Sequence, residues 1–135
     1  MPKIIVAGSR DMTDYDKMKQ TWAEYVNEHN LVSDRITIIT GGASGADRLA
    51  EQLAKEENIS IEIIKADWQT HGKAAGPIRN RIMAEAAAPD GRLLAYWDGK
   101  SPGTADMIKQ ARRVGLKVQT IELMAPTGWE QCRLE

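Results

Sequence analysis

Short β-branched runs alternate along the chain with segments whose apolar residues recur at helical spacing. Lys3-Ile-Ile-Val-Ala7 ends at Gly8 and reads as a strand buried on both faces. Thr13 or Asp14 then offers an N-cap, and Tyr15, Met18, Trp22, Tyr25 and Val26 predict an amphipathic helix to about His29. Arg35 to Thr40 is a second strand, stopped by Gly41-Gly42. Ser44 can cap a helix with Ala46, Leu49, Ala50 and Leu53 on one face. Ile59 to Ile64 is a third strand, and residues 66–76 are expected to be a loop. Pro77 suits a first helical position, with Ile78, Ile82, Met83 and Ala86 facing inward. Pro89-Asp90-Gly91 is a turn signal, followed by a fourth strand, Arg92 to Trp97. Thr104 opens a helix with Met107, Ile108, Ala111 and Val114 inside, Gly115 fits C′, and Leu116 to Leu123 is a fifth strand.

Strands alternating with helices imply right-handed crossovers and one α/β domain with a mostly parallel five-stranded sheet. A doubly wound order 3-2-1-4-5 makes strands one and four neighbours whose helices leave on opposite faces. A crevice then opens at their carboxyl ends. The domain is expected over residues 1–123, with a tail at 124–135 whose role is left open between packing on its own domain and on a second subunit.

Composition narrows the class. The 135 residues suffice for one domain with its own core, and 42% hydrophobic with 27% charged residues is ordinary for a globular protein. No apolar run approaches the ~20 residues of a membrane span. The start lacks a signal-peptide pattern, so a cytoplasmic location is expected. Cys132 is the only cysteine, which excludes an internal disulfide and disfavours a cysteine zinc site. The net charge of -1 counts against general nucleic-acid binding.

The candidate chemistry lies in the loops that follow strands. Gly8-Ser9-Arg10, the loop Gly41-Gly42-Ala43 with Gly45 and Asp47, and Ser101 with Gly103-Thr104 collect glycines, hydroxyls and helix starts on one expected rim. Glycine lets main-chain amides approach an anion, and a helix start adds partial positive charge, so the pattern suits phosphate. Arg10 and Arg79 can add bidentate contacts. Neither G-x-x-x-x-G-K-[ST] nor G-x-G-x-x-G after the first strand is present, which disfavours P-loop ATPases and NAD dehydrogenases.

Four segments together resemble the YspA-type, YpsA-related branch of the SLOG superfamily: Val6-Ala-Gly-Ser-Arg-Asp11, Thr40-Gly-Gly-Ala-Ser-Gly-Ala-Asp47, Ala75-Gly-Pro-Ile-Arg-Asn-Arg-Ile-Met83 and Ser101-Pro-Gly-Thr-Ala105. The resemblance implies a Rossmann-like three-layer fold and a site for a nucleotide-like ligand. It also points to a homo-oligomer, since relatives often complete their sites across subunits. The superfamily includes the lonely-guy phosphoribohydrolases, the DNA-processing protein A family and sensors of nucleotide-derived ligands. By the phosphoribohydrolase motif R-K-x-x-M, Arg79 matches the arginine, Asn80 stands at the lysine and Met83 is in register. The motif P-G-G-x-G-T-x-x-E puts its glutamate at Met107; Asp106 is adjacent, but one helical residue turns about 100°.

Other residues carry two readings each. Asp47 complements a helix start or meets ligand hydroxyls, and Asp98 forms a turn or orients a ribose. Trp68 and Trp97 can stack on a base, but rim packing is the first reading for each. Trp22 is expected in the core and His29 on the surface. His71 falls short of a metal motif, and no metal or cofactor is expected. Arg79 and Arg81 cannot share a helix face, so Arg81 goes to solvent or a subunit contact. The expectation is therefore a binder of a phosphorylated nucleotide derivative. The alternatives are a nucleoside-monophosphate N-glycosidase, with Arg79, Asp98 and Asp106 as candidate catalytic residues, and a single-stranded DNA binder.

Overall fold

The computed structural model describes residues 2–123. The elements run β1 (Lys3–Gly8), α1 (Tyr15–Glu28), β2 (Thr37–Thr40), α2 (Ala46–Glu56), β3 (Ser60–Ile63), α3 (Trp68–His71), α4 (Ala75–Ala87), β4 (Arg92–Trp97), α5 (Pro102–Arg113) and β5 (Lys117–Glu122). Short 3-10 turns precede β2 at Ser33–Arg35 and α4 at Gly72–Ala74. The sheet has the order β3-β2-β1-β4-β5, and every neighbouring pair is parallel. The doubly wound order expected from the sequence is the one observed.

Strand alternation splits the core into two layers. Ile4 and Val6 of β1 join Met18, Trp22 and Tyr25 of α1 and Ala50 and Leu53 of α2 on one face. Ile5 and Ala7 join Met83, Ala84 and Ala87 of α4 and Met107, Ile108 and Ala111 of α5 on the other. Ile4, Ile5, Ile38, Ile39, Leu93 and Leu94 are fully buried, each contributing about 1.5–3 kcal/mol of apolar burial. The β3 strand is an exposed edge.

Five local expectations need correction. The segment read as a loop contains α3, started by Asp67, whose carboxylate accepts from the Thr70 amide at 3.1 Å. One helical turn is too short to show as hydrophobic periodicity. Helix α4 begins at Ala75, so Pro77 is its third residue, still in the turn where amides lack partners. Its inward face is Ala75, Gly76, Asn80, Met83, Ala84 and Ala87, while Ile82 is exposed. Small residues let the helix approach the sheet, and the burial of Asn80 in a polar network sets its rotation. Ser44 does not cap α2: Gly45 holds that position, and the Ser44 hydroxyl donates to the Arg10 carbonyl at 3.4 Å. Likewise Pro102, not Thr104, opens α5.

His29, expected on the surface, is half-buried with its ring 4.5 Å from that of Tyr25. Trp22 is buried, as expected. Among the described residues, no helix is long and apolar enough to cross a membrane. The tail at 124–135 lies outside the described residues.

The tightest approach in the fold is at Gly8, where β1 ends. A Cβ there would lie 2.3 Å from the Tyr96 carbonyl oxygen and 2.8 Å from the Ala46 Cβ. Gly8→Ala is expected to cost about 1–3 kcal/mol in urea unfolding. Gly103→Ala, with no atom within 4 Å of its added Cβ, is expected to leave stability unchanged or raise it by up to ~1 kcal/mol. Equal losses at both positions would contradict this packing.

Candidate functional site

Strands β1 and β4 are hydrogen-bonded neighbours whose following helices pack on opposite faces of the sheet. Their chains diverge at the carboxyl ends and leave a cavity of about 620 Å³. Its rim is Gly8, Ser9, Arg10 and Asp11 after β1, and Ser101, Pro102, Gly103 and Thr104 after β4. The far wall is Trp68, Lys73, Gly76, Pro77, Arg79, Asn80 and Met83 from α3 and α4 and the turn between them. Asp106 and Met107 of α5 and Ala43 and Asp47 of the α2 start complete it.

The anion-facing features are concentrated beside α5. With Pro102 at its first position, the Gly103 and Thr104 amides are left without an intrahelical partner. Ser9 is buried, and its hydroxyl accepts from the Asp11 amide at 3.3 Å, which leaves its proton free to donate. Arg10 is exposed on the rim, its guanidinium carbon 5.9 Å from the Trp68 ring centroid.

Beneath this rim a polar relay joins α4 to α5 and to the β2–α2 loop. Arg79 donates to the Gly41 carbonyl at 2.9 Å and through Nε to Asn80 Oδ1 at 3.0 Å. Asn80 Nδ2 in turn donates to the Gly103 carbonyl at 3.2 Å and to Asp106 Oδ2 at 2.9 Å. Asp47 accepts from the Ala43 amide at 3.1 Å. A Cβ at position 41 would lie 2.3 Å from Arg79 Nη1 and 3.0 Å from Asp47 Oδ2, so only glycine admits this guanidinium. Burial pushes the Asp47 carboxyl up, against the Ala43 amide and the Arg79 charge, which favour its ionised form. Burial also lowers Arg79 from the ordinary guanidinium value, partly offset by Asp47. The buried Thr40 hydroxyl has no partner at hydrogen-bond geometry, although it is close enough to Asp47 to favour its charge.

The expected residues divide accordingly. Gly8, Ser9, Arg10, Ala43, Asp47, Arg79, Asn80, Ser101, Gly103, Thr104 and Asp106 line one cavity. Gly41, Gly42, Gly45, Trp97 and Asp98 do not. Gly41 receives Arg79, Gly42 faces Ile63 and Lys65, and Gly45 lies against the Ser9–Arg10 backbone. At the α2 start the Ala46 amide donates to the Ser9 carbonyl at 3.0 Å. Trp97 Nε1 donates to the Ser101 carbonyl at 3.1 Å. Asp98 is the turn residue: it accepts from the Lys100 and Ser101 amides, each at 2.8 Å, and from the Ser101 hydroxyl at 3.0 Å, contacts that hold its carboxyl below the usual range.

Arg81 is exposed and off the cavity, as its spacing from Arg79 requires. Asp106, expected to turn away, lines the cavity together with Met107 because the α5 start projects into it. Trp68, read from the sequence first as rim packing and second as a base-stacking ring, is on the wall, as is Lys73 in the segment between an edge strand and Arg79. His71 is exposed and does not line the cavity. Among the described residues, no group of three or more His, Cys, Asp or Glu is placed to hold a metal.

The Asp47 shift has a sign that unfolding can read. Between the ordinary value of 3.8 and its raised value, folded Asp47 holds its proton while the unfolded chain has lost it, so stability falls as pH rises through that window. Relative to Asp47→Asn, the unchanged protein should thus lose stability from acid toward neutral pH. Paired thermal melts over that range check it, and a relative gain with rising pH would contradict the buried-carboxylate reading.

Comparison with known proteins fits this geometry. Residues 2–71 match the model of the family described as the YspA, cpYpsA-related SLOG family. The Gene 61 protein of Mycobacterium phage D29 is 32% identical over 123 residues, covering 87% of this chain and 94% of that one. Among solved structures, DNA processing protein A from Streptococcus pneumoniae aligns with a TM-score of 0.67 at 19% identity, over 95% of this chain and 53% of that one. The protein TM1055 aligns with a TM-score of 0.60 at 18% identity, over 87% of this chain and 72% of that one. This chain thus spans about half the length of the DNA processing protein A, and at such identities the two structures share its fold. With the family match covering residues 2–71 and the phage relative 32% identical over 87% of the chain, the chain belongs to the YspA, cpYpsA-related SLOG family.

Proposed function

We propose that the cavity at the ends of β1 and β4 binds a phosphorylated nucleotide or nucleotide derivative. The observation that carries this reading is the meeting of the α5 start, Ser9 and the Arg10 and Lys73 side chains around one space of about 620 Å³. That volume is within the ~300–1,000 Å³ of small-ligand sites. Phosphate at the α5 start gains the helix dipole and the Gly103 and Thr104 amides. Arg79 also lines the space and braces its wall, with two of its five N–H donors held by Gly41 and Asn80.

The balance of charge favours a nucleotide over a nucleic acid. Arg10, Lys73 and Arg79 are matched by Asp11, Asp47 and Asp106 in the lining. A ligand with one anionic end and hydroxyl donors at the other suits such a mixture; a polyanion does not.

A second reading, hydrolysis of the N-glycosidic bond of a nucleoside monophosphate, is favoured by Asp106. Its carboxylate lines the cavity and is held by Asn80 at 2.9 Å. Water would add at C1′, with the base leaving protonated and ribose 5-phosphate remaining, and the carboxylate would steady the cationic sugar or take the water proton. Chromatography for free base decides: release that Asp106→Asn abolishes supports hydrolysis, and no release from any 5′-mononucleotide rejects it.

For binding, calorimetric titration of 5′-mononucleotides and the matching nucleosides is expected to show affinity that depends on the phosphate. Arg10→Ala and Lys73→Ala should each weaken the nucleotide about tenfold, in keeping with a charged hydrogen bond of ~1.5–3 kcal/mol. Nucleosides binding as tightly as nucleotides, or no effect of either substitution, would overturn the phosphate assignment.

A further inference from the structure

We propose that Trp68 is the base-stacking platform of this site and sets its preference for ligands that carry an aromatic base. The inference rests on the reading of the cavity as a phosphorylated-ligand site. Five large hydrophobic residues are exposed among the described ones: Val32, Ile61, Ile63, Trp68 and Ile82. Of these, Trp68 alone lines the cavity, and it is 49% exposed. Its position is fixed rather than incidental. Asp67 caps the single turn of α3 that carries it, and the Asp67 carbonyl accepts from the His71 amide at 3.0 Å. The indole edge rests on α4 at Gly76, where an added Cβ would already come within 3.4 Å of Cη2.

What covers the ring is loosely held. The Arg10 guanidinium stands over it at 5.9 Å from the centroid, near the ~6 Å outer limit of a cation–π contact. Stacked aromatic rings sit at centroid separations of about 4.5–7 Å, so a planar base can take that place. Arg10 is on the same rim as Ser9 and Gly103 and can turn to the phosphate when the base arrives. One end of the cavity then supplies phosphate donors and the other an aromatic face, which is the polarity of a nucleotide.

The test separates base from phosphate. The unchanged full chain is titrated calorimetrically with the four common 5′-mononucleotides and with ribose 5-phosphate. At least one nucleotide is expected to bind more tightly than ribose 5-phosphate. Trp68→Ala should weaken the tightest nucleotide by about 5- to 150-fold, the range of base–aromatic stacking, while ribose 5-phosphate changes less than twofold. Trp68→Phe should retain most of the affinity and lose the nucleotide-dependent change in tryptophan emission expected of the unchanged chain. A nucleotide loss below twofold, or equal losses for nucleotide and ribose 5-phosphate, would overturn the platform while leaving the phosphate site standing. Failure of the unchanged chain to bind any of the five would overturn both.

Discussion

A polar relay through Arg79 and Asn80 ties α4 to the β2–α2 loop and to α5 around the cavity. Arg79 reaches the carbonyl of Gly41 before α2, passes a hydrogen bond to its neighbour Asn80, and Asn80 reaches both Gly103 and Asp106 on α5. Buried polar groups left without partners cost about 1–3 kcal/mol each, so the members depend on one another. Glycine at 41 is required by contact: the guanidinium occupies the space a side chain would take. The relay fixes how far α4 stands from the β2–α2 loop and from the start of α5.

The topology supplies what the relay then shapes. Neighbouring strands β1 and β4 send their helices to opposite faces, so a parting of the chains at their carboxyl ends is unavoidable. A Gly-rich loop at such a point can serve a ligand or the protein itself. Here Arg79 donates to the Gly41 carbonyl, the Ala43 amide to Asp47 and the Ala46 amide to the Ser9 carbonyl, and of residues 41–45 only Ala43 reaches the space. The β1 and β4 loops line the space. The proposed ligand is accordingly assigned to the α5 start rather than to the α2 start.

Much of this was legible in the sequence because it follows from periodicity and chain direction. Apolar runs at Lys3–Gly8 and Arg92–Trp97 fixed the central strands, and alternation with helices fixed the parallel order. The spacing of Arg79 and Arg81 correctly sent one inward and one to solvent. The failures have physical causes. Helix α4 is rich in alanine, so its apolar face was ambiguous, and the polar network that turns Asn80 inward involves residues 23 and 26 positions away. Glycines at 41, 42 and 45 were expected at the ligand; Gly41 receives Arg79 and none of the three lines the cavity, a placement that composition does not encode. Trp68 sits on one capped turn, below the length at which periodicity speaks.

The central claim is positional: a phosphorylated ligand enters at the β1–β4 parting. Backbone amide NMR of the labelled chain, with and without a saturating 5′-mononucleotide, tests it most directly. Resonance changes should centre on Gly8 to Asp11 and Ser101 to Thr104, with the Gly42 and Gly45 amides little affected. Changes centred on the β3 edge or on Gly42 and Gly45, or none at saturation, would contradict it.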